Sequence, residues 1–178
     1  TTPNLTNRWS YGAGYVEKNG NLVCLLPATD GEVIRYVYGY VREWSKLKSL
    51  NGYKATNQQY RPPGLADNEE IMEIVSSNDQ CMLASIFTIA ATGAASFKEH
   101  CIIELNGTLI QDSHVLTRLG TRLLNLIGVG NADNFRSFQT QVVRMRDRKF
   151  NFVSLTKGAP HGTLSSFKYD PVTDLISK

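Results

Sequence analysis

The sequence has little cysteine. Its three cysteines, Cys24, Cys81 and Cys101, include no Cys-x-x-Cys pair. An odd, scattered set argues against a disulfide framework and against a sulfur-ligated metal site. No segment approaches the roughly 20 apolar residues that a membrane-spanning helix needs, and the start of the sequence lacks a secretory signal pattern. We therefore expect no metal, no cofactor and no membrane partner, and a location in a reducing intracellular compartment or a virion.

Near-neutral acid and base groups are also scarce, because the only histidines are His100, His114 and His161. The sequence lacks the motifs that identify a reaction, such as Gly-x-Ser-x-Gly, His-Glu-x-x-His or a P-loop. His100 and Cys101 do not form a catalytic dyad if they lie on a strand, since strand neighbours point to opposite faces. We predict a non-enzymatic protein. The alternative is a small-ligand enzyme or binding domain with a pocket near Asp112, His114 and His161.

The length and composition are those of one globular domain. The 178 residues are 42% hydrophobic and 20% charged, and a chain of this size buries roughly 70% of its unfolded surface. We predict a single domain over residues 1–178, with an extended N-terminal arm over residues 1–14. The polar segment 53–66 contains Pro62, Pro63 and Gly64, so it is predicted to be a Pro-rich loop.

Apolar spacing and capping patterns predict an α+β, mainly helical fold with a helical core and short antiparallel hairpins. Thr29 and Glu32 have the spacing of a capping box, and the run around Cys81 is apolar on all sides, as in a buried central helix. Two Asn-Gly pairs predict hairpins, at 19–20 and at 106–107. Helices are predicted over residues 29–50, 67–75, 80–97, 112–127 and 135–149, and strands over 150–155 and 163–170.

Positive charge is concentrated towards the end of the chain. Residues 1–113 contain nine Lys and Arg against twelve Asp and Glu, whereas residues 114–178 contain ten against four. The net charges of the two parts are therefore −3 and +6. A basic region of this kind favours an anionic partner.

The basic segment 135–152 contains four arginines, one lysine and four phenylalanines. On a helical wheel Phe135, Phe138, Val142 and Met145 form a core stripe. The cations lie opposite that stripe or beside it. Guanidinium groups bind phosphate through paired hydrogen bonds, so this face is predicted to contact a nucleic-acid backbone. The predicted binding residues are Arg136, Arg144, Arg146, Arg148 and Lys149.

The amide- and hydroxyl-rich composition and the basic C-terminal part are features that we expect of a small viral coat or nucleocapsid subunit. We therefore predict a nucleic-acid-binding assembly subunit that self-associates, with RNA favoured over DNA. A solvated basic face without a ligand and a protein-interaction surface are the alternatives for the arginine segment.

Overall fold

The protein is built from antiparallel strands. The computed structural model describes residues 12–17, 21–38, 56–105, 114–126, 140–156 and 163–177, and these residues form three four-stranded sheets. The first sheet contains β1 (Ala13–Val16), β2 (Leu22–Pro27), β3 (Val33–Tyr38) and β4 (Thr56–Tyr60). The second contains β5 (Glu69–Ser77), β6 (Cys81–Ile89), β7 (Ala95–Glu104) and β8 (Val115–Gly120). The third contains β9 (Thr140–Arg144), β10 (Phe150–Thr156), β11 (Thr163–Asp170) and β12 (Leu175–Ser177).

Each sheet is a meander in which the strands follow one another in chain order. The described helical elements are short. A 3-10 turn spans Thr29–Gly31 before β3, and one helix, α1 (Arg122–Leu126), follows β8. The prediction of a mainly helical α+β fold is therefore wrong.

The predicted central helix over residues 80–97 is instead the hairpin of β6 and β7. Its run from Cys81 to Ile86 is buried without interruption. A strand that is covered on both faces is apolar at every position, as a buried helix also is, so the apolar run alone does not separate the two structures. The expectation that this segment lies at the centre of the molecule agrees with its burial.

The other helix predictions fail in the described residues, except that residues 122–126 of the predicted helix 112–127 form α1. Residues 69–77 form β5, residues 115–120 form β8 before α1, and residues 140–144 form β9. The capping-box pattern at Thr29 starts only the single 3-10 turn before β3. In these strands β-branched residues favour extended backbone, where their side chains fit a pleated surface.

Several strand predictions are confirmed. The Asn-Gly pair at 19–20 lies outside the described residues, but β1 and β2 on either side of it pair antiparallel. The predicted strands at 150 and 163 are β10 and β11. The second Asn-Gly pair also lies outside the described residues, and the strand that pairs with β7 there begins at Val115, within a predicted helix. Of the predicted loop 53–66, residues 56–60 form β4 and residues 61–66 belong to the connection to β5.

The second sheet is the inner layer, with one apolar core on each face. In β6, Met82, Ala84 and Ile86 face the first sheet, and Cys81 and Leu83 face the third. The core with the first sheet includes Val23, Leu25, Val33, Ile71, Ile74, Cys101 and Ile103. The core with the third sheet includes Ile102, Leu119, Leu123, Val142, Phe150, Phe152, Phe167 and Tyr169.

Side chains of β5 cover the open edge of the third sheet at Val142. The Val142 amide donates to Ser76 Oγ at 3.3 Å, and Asn78 Nδ2 donates to the Val142 carbonyl at 2.8 Å. Asn78 Oδ1 also accepts from the amides of Gln80 at 2.8 Å and Cys81 at 3.0 Å. Because an unpaired strand edge invites pairing with other chains, these contacts both protect β9 and position the third sheet.

Replacing Asn78 with alanine is expected to lower the free energy of unfolding by about 2 kcal/mol. Three hydrogen bonds are lost, each with a net value of roughly 0.5–1.5 kcal/mol, and the Val142 carbonyl loses its donor. Asp79→Ala is the control, because Asp79 is exposed in the same turn and such changes stay within about 0.5 kcal/mol. Urea denaturation measures both; equal losses would show that Asn78 does not hold the third sheet.

Candidate nucleic-acid interface

The predicted basic helix is a hairpin in its described part. Strands β9 and β10 pair in register from Arg144 opposite Phe150. The Met145 amide donates to the Lys149 carbonyl at 2.6 Å, and the Arg148 amide donates to the Met145 carbonyl at 3.2 Å. These two bonds define a turn with a three-residue loop. The turn gathers the basic residues at one exposed end of the third sheet, which we call the basic hairpin end: Arg144, Arg146, Arg148 and Lys149.

Arg148 has a left-handed backbone conformation, with φ of 62°. The turn between β6 and β7 has the same pair of hydrogen bonds, from Ala90 to Ala94 and from Gly93 to Ala90. There the equivalent position is Gly93, with φ of 86°. An L-residue in this region costs roughly 1–2 kcal/mol relative to right-handed backbone. The basic hairpin end therefore keeps an arginine where glycine would fit with less strain, which is a pattern typical of functional positions.

Glu104, at the end of β7, pairs with two of the predicted binding residues. Arg148 donates from Nε to Glu104 Oε1 at 2.8 Å, and its Nη2 lies 2.8 Å from the same oxygen. Arg144 donates from Nε to Glu104 Oε2 at 3.3 Å. The hydrogen bonds that Arg148 donates to Glu104 raise the pKa of Arg148. Arg144 and Arg148 therefore connect the third sheet to the second.

The two other described cations of the segment, Arg146 and Lys149, show no pairing with Glu104. Arg146 is exposed, and the structure shows no ion pair for it among the described residues. Lys149 Nζ lies 3.2 Å from Asp147 Oδ2. Arg136, Phe135 and Phe138 lie outside the described residues. The basic hairpin end has four cations, and with Glu104 and Asp147 counted it retains a net charge of +2.

Glu104 was not identified from the sequence. Its partners Arg144 and Arg148 are 40 and 44 residues away in the chain. Charge pairs that are close in sequence leave a spacing pattern, as on a helix face, but a pair between two sheets leaves none. A local signal for Glu104 is therefore missing from the sequence.

A second cluster of charges surrounds Glu69 at the start of β5. Glu69 is only 1% exposed, and both of its carboxylate oxygens accept from Arg118 of β8, at 2.6 Å and 2.9 Å. Lys98 Nζ lies 2.8 Å from Glu69 Oε2, and Arg118 also donates to the Gly64 carbonyl at 2.8 Å. The hydrogen bonds from Arg118 hold the pKa of Glu69 well below its ordinary value, although burial acts in the opposite direction. This cluster holds the Pro-rich connection against the second sheet.

Three buried polar residues form a row across the second sheet. Glu73, Ser85 and His100 are in register on β5, β6 and β7, and each is at most 3% exposed. Residues directly opposite each other on neighbouring strands share a face. Burial lowers the pKa of His100 to about 3, so this imidazole is neutral at pH 7. No spacing pattern in the sequence connects these three residues.

The alternative pocket near Asp112, His114 and His161 is not assembled in the described residues. Asp112 and His161 lie outside them. His114 is buried, and its ring stacks on Tyr60 with 4.9 Å between ring centroids. The described ranges contain no group of three or more His, Cys, Asp or Glu residues arranged to hold a metal ion.

Comparison with known proteins returned no match, either to a protein-family model or to a curated sequence. Among the described helices none has the length and apolar character needed to cross a bilayer. In the part of the chain that the structure describes, the fold is mostly β, with a basic hairpin at one end of the third sheet.

Proposed function

We propose that the protein is a non-enzymatic, nucleic-acid-binding assembly subunit, of the kind of a small viral coat or nucleocapsid protein. The observation that carries this proposal is the convergence of four cations on the basic hairpin end. Contacts between such side chains and phosphates supply most of the affinity for nucleic acid that does not depend on sequence. The predicted residues Arg144, Arg146, Arg148 and Lys149 keep this role in the proposal, now on a hairpin instead of a helix.

The third sheet favours recognition of the backbone over recognition of bases. Its aromatic residues Phe150, Phe152, Phe167 and Tyr169 are buried against the second sheet. Proteins that bind single strands through their bases present exposed aromatic rings for stacking. With these rings turned inward, the hairpin end would bind phosphates with little sequence preference. RNA remains the favoured nucleic acid.

Self-association is the other half of the proposal. Strand β12 forms one edge of the third sheet, and Val172 and Leu175 beside it are exposed apolar residues. Exposed strand edges and exposed apolar side chains commonly form the interfaces between subunits. A particle or oligomer that co-purifies with nucleic acid would support this part, and a nucleic-acid-free monomer would count against it.

Affinity for a 20-residue oligouridylate is expected to fall steeply with salt. In the double variant Arg146→Gln, Lys149→Gln, the slope of log affinity against log salt is expected to decrease by about 1.4, because each phosphate contact on a single strand contributes roughly 0.7. Arg146→Gln alone should remove about half of that amount. Fluorescence anisotropy at four salt concentrations measures the slopes.

The matched control is Lys98→Gln, which removes the same single charge as Arg146→Gln from a lysine of β7 that pairs with Glu69. Its slope is expected to equal that of the unmodified protein. Absent or salt-independent binding would refute nucleic-acid binding. Equal slopes for Arg146→Gln and Lys98→Gln would refute this location.

A further inference from the structure

Glu104 already occupies the place between Arg144 and Arg148 that a phosphate would take. Its two oxygens are shared between the two guanidinium groups, at 3.3 Å from Arg144 Nε and 2.8 Å from Arg148 Nε. Carboxylate and phosphate oxygens accept from guanidinium with the same geometry. Glu104 is therefore an internal substitute for a bound anion.

The backbone holds this carboxylate in place. Glu104 is the last residue of β7 and lies in register with Cys81 of β6 and Val115 of β8. Its side chain is 15% exposed, whereas the side chains of Arg144 and Arg148 are 31% and 48% exposed. The carboxylate is thus the inner partner and the guanidinium groups are the outer ones. An anion from solution can reach the guanidinium edges that face Glu104 only in competition with that carboxylate.

This competition is unequal for small and large anions. A tethered group competes at a high effective concentration, on the order of millimolar or above, so an isolated phosphate gains little by displacing Glu104. A nucleic-acid strand contacts Arg146 and Lys149 at the same time, and those contacts keep the next phosphate close to the arginine pair. The strand therefore competes with Glu104 at a high effective concentration of its own.

We propose that Glu104 is a specificity-determining residue that limits the basic hairpin end to polyanionic strands and excludes isolated phosphates. This inference rests on the proposed function and names the kind of ligand that the site accepts. Glu104 makes no contact with the ligand in the bound state. It acts because an anion must displace the Glu104 carboxylate before it can contact Arg144 and Arg148, and this displacement costs free energy.

The test compares Glu104→Gln with Glu99→Gln. Both residues lie on β7, both accept from an arginine, and both changes remove one negative charge; Glu99 pairs with Arg118, at 3.3 Å. Glu104→Gln is expected to bind the 20-residue oligouridylate at least about tenfold more tightly, the factor expected when one charge-assisted hydrogen bond no longer has to be broken before binding. Its salt slope should stay close to that of the unmodified protein, because the strand contacts Arg144 and Arg148 in both and only the displacement of Glu104 is removed. Inorganic phosphate should bind Glu104→Gln measurably in calorimetry, and should not bind the unmodified protein or Glu99→Gln.

The outcomes separate this inference from the function on which it rests. If no variant binds the oligonucleotide, both are refuted. If the unmodified protein binds it and Glu104→Gln behaves like Glu99→Gln, the function stands and Glu104 is only a link between sheets. Should Glu104→Gln fail to fold, Glu104→Asp provides the second variant, because a side chain shorter by one methylene weakens the pairing and should produce the same changes at smaller size.

Discussion

Replacing Arg118 with alanine is expected to lower the free energy of unfolding by about 3 kcal/mol, because the change leaves a buried carboxylate without its main counterion. Glu69 is 1% exposed, so water cannot take over the two hydrogen bonds from Arg118. Lys98 keeps one contact, at 2.8 Å, which places the loss at the lower end of the range for broken buried pairs. The Gly64 carbonyl also loses a donor, and the connection before β5 should become more accessible to proteases.

Lys149→Ala is the control for Arg118→Ala. Lys149 also pairs with a carboxylate, that of Asp147, at 3.2 Å, but Asp147 is exposed and remains hydrated when its partner is removed. Exposed ion pairs contribute about 0–1 kcal/mol, so the expected loss is correspondingly small. Urea denaturation at pH 7 measures both variants. Equal losses would mean that the burial of Glu69 does not determine the energy of its cluster.

The same carboxylate gives a pH dependence with a defined sign. The pKa of Glu69 is lowered in the folded protein from an ordinary value of 4.5. Its stabilisation is therefore fully present above pH 4.5 and is lost as the pH falls below that value, at about 1.4 kcal/mol for each pH unit. Glu69→Gln removes this pH-dependent stabilisation. Between pH 7 and pH 3 the free energy of unfolding of the variant should therefore fall by about 2 kcal/mol less than that of the unmodified protein. Identical acid profiles would contradict the assignment.

The failure of the helix predictions has a physical cause that Val33 and Val37 illustrate. A spacing of four residues fits the helical repeat of 3.6 residues and is also twice the strand repeat of two. Apolar positions four apart therefore support both structures. The β-branched side chains favoured the strand, and the capping pattern at Thr29 was satisfied by one 3-10 turn.

The correct strand predictions came from signals that do not depend on the rest of the fold. An Asn-Gly pair favours the positive φ values of a tight hairpin turn, and β1 and β2 flank one such pair. The strand beginning at Phe150 is rich in the aromatic and β-branched residues that favour strands. By contrast, the burial of β6 on both faces depends on two other sheets, and no local pattern contains that information.

The concentration of positive charge at the basic hairpin end could be predicted from the sequence, but the arrangement of its side chains could not. Arg144, Arg146 and Arg148 are close together in the chain, so any local structure would bring them to one region. Their unequal roles depend on Glu104, which a different sheet supplies. The sequence therefore identified candidate cations, and the contact between sheets distinguishes the paired arginines from the exposed Arg146.

Phe152→Ala is expected to lower the free energy of unfolding by about 4 kcal/mol, the range for a fully buried aromatic ring. Phe152 is completely buried between the second and third sheets. Val143→Ala is the control, because Val143 is exposed on the adjacent strand β9 and its truncation should change stability by less than about 0.5 kcal/mol. Thermal and urea denaturation both measure these changes. Similar losses for the two variants would contradict the burial of this face of the third sheet.

Smaller truncations in pairs test whether the two cores are separate. Phe152→Leu and Ile102→Val lie in the core between the second and third sheets, whereas Val33→Ala lies in the core with the first sheet. Changes without shared partners add to within about 0.5 kcal/mol, and changes within one packed cluster do not. Phe152→Leu should therefore be additive with Val33→Ala and depart from additivity with Ile102→Val. The reverse pattern would contradict a layered fold. In a single continuous core the first and third sheets would be in direct contact, and truncations in them would not be additive. An intervening sheet with apolar residues on both faces separates the two cores, so the stability losses in one are independent of those in the other.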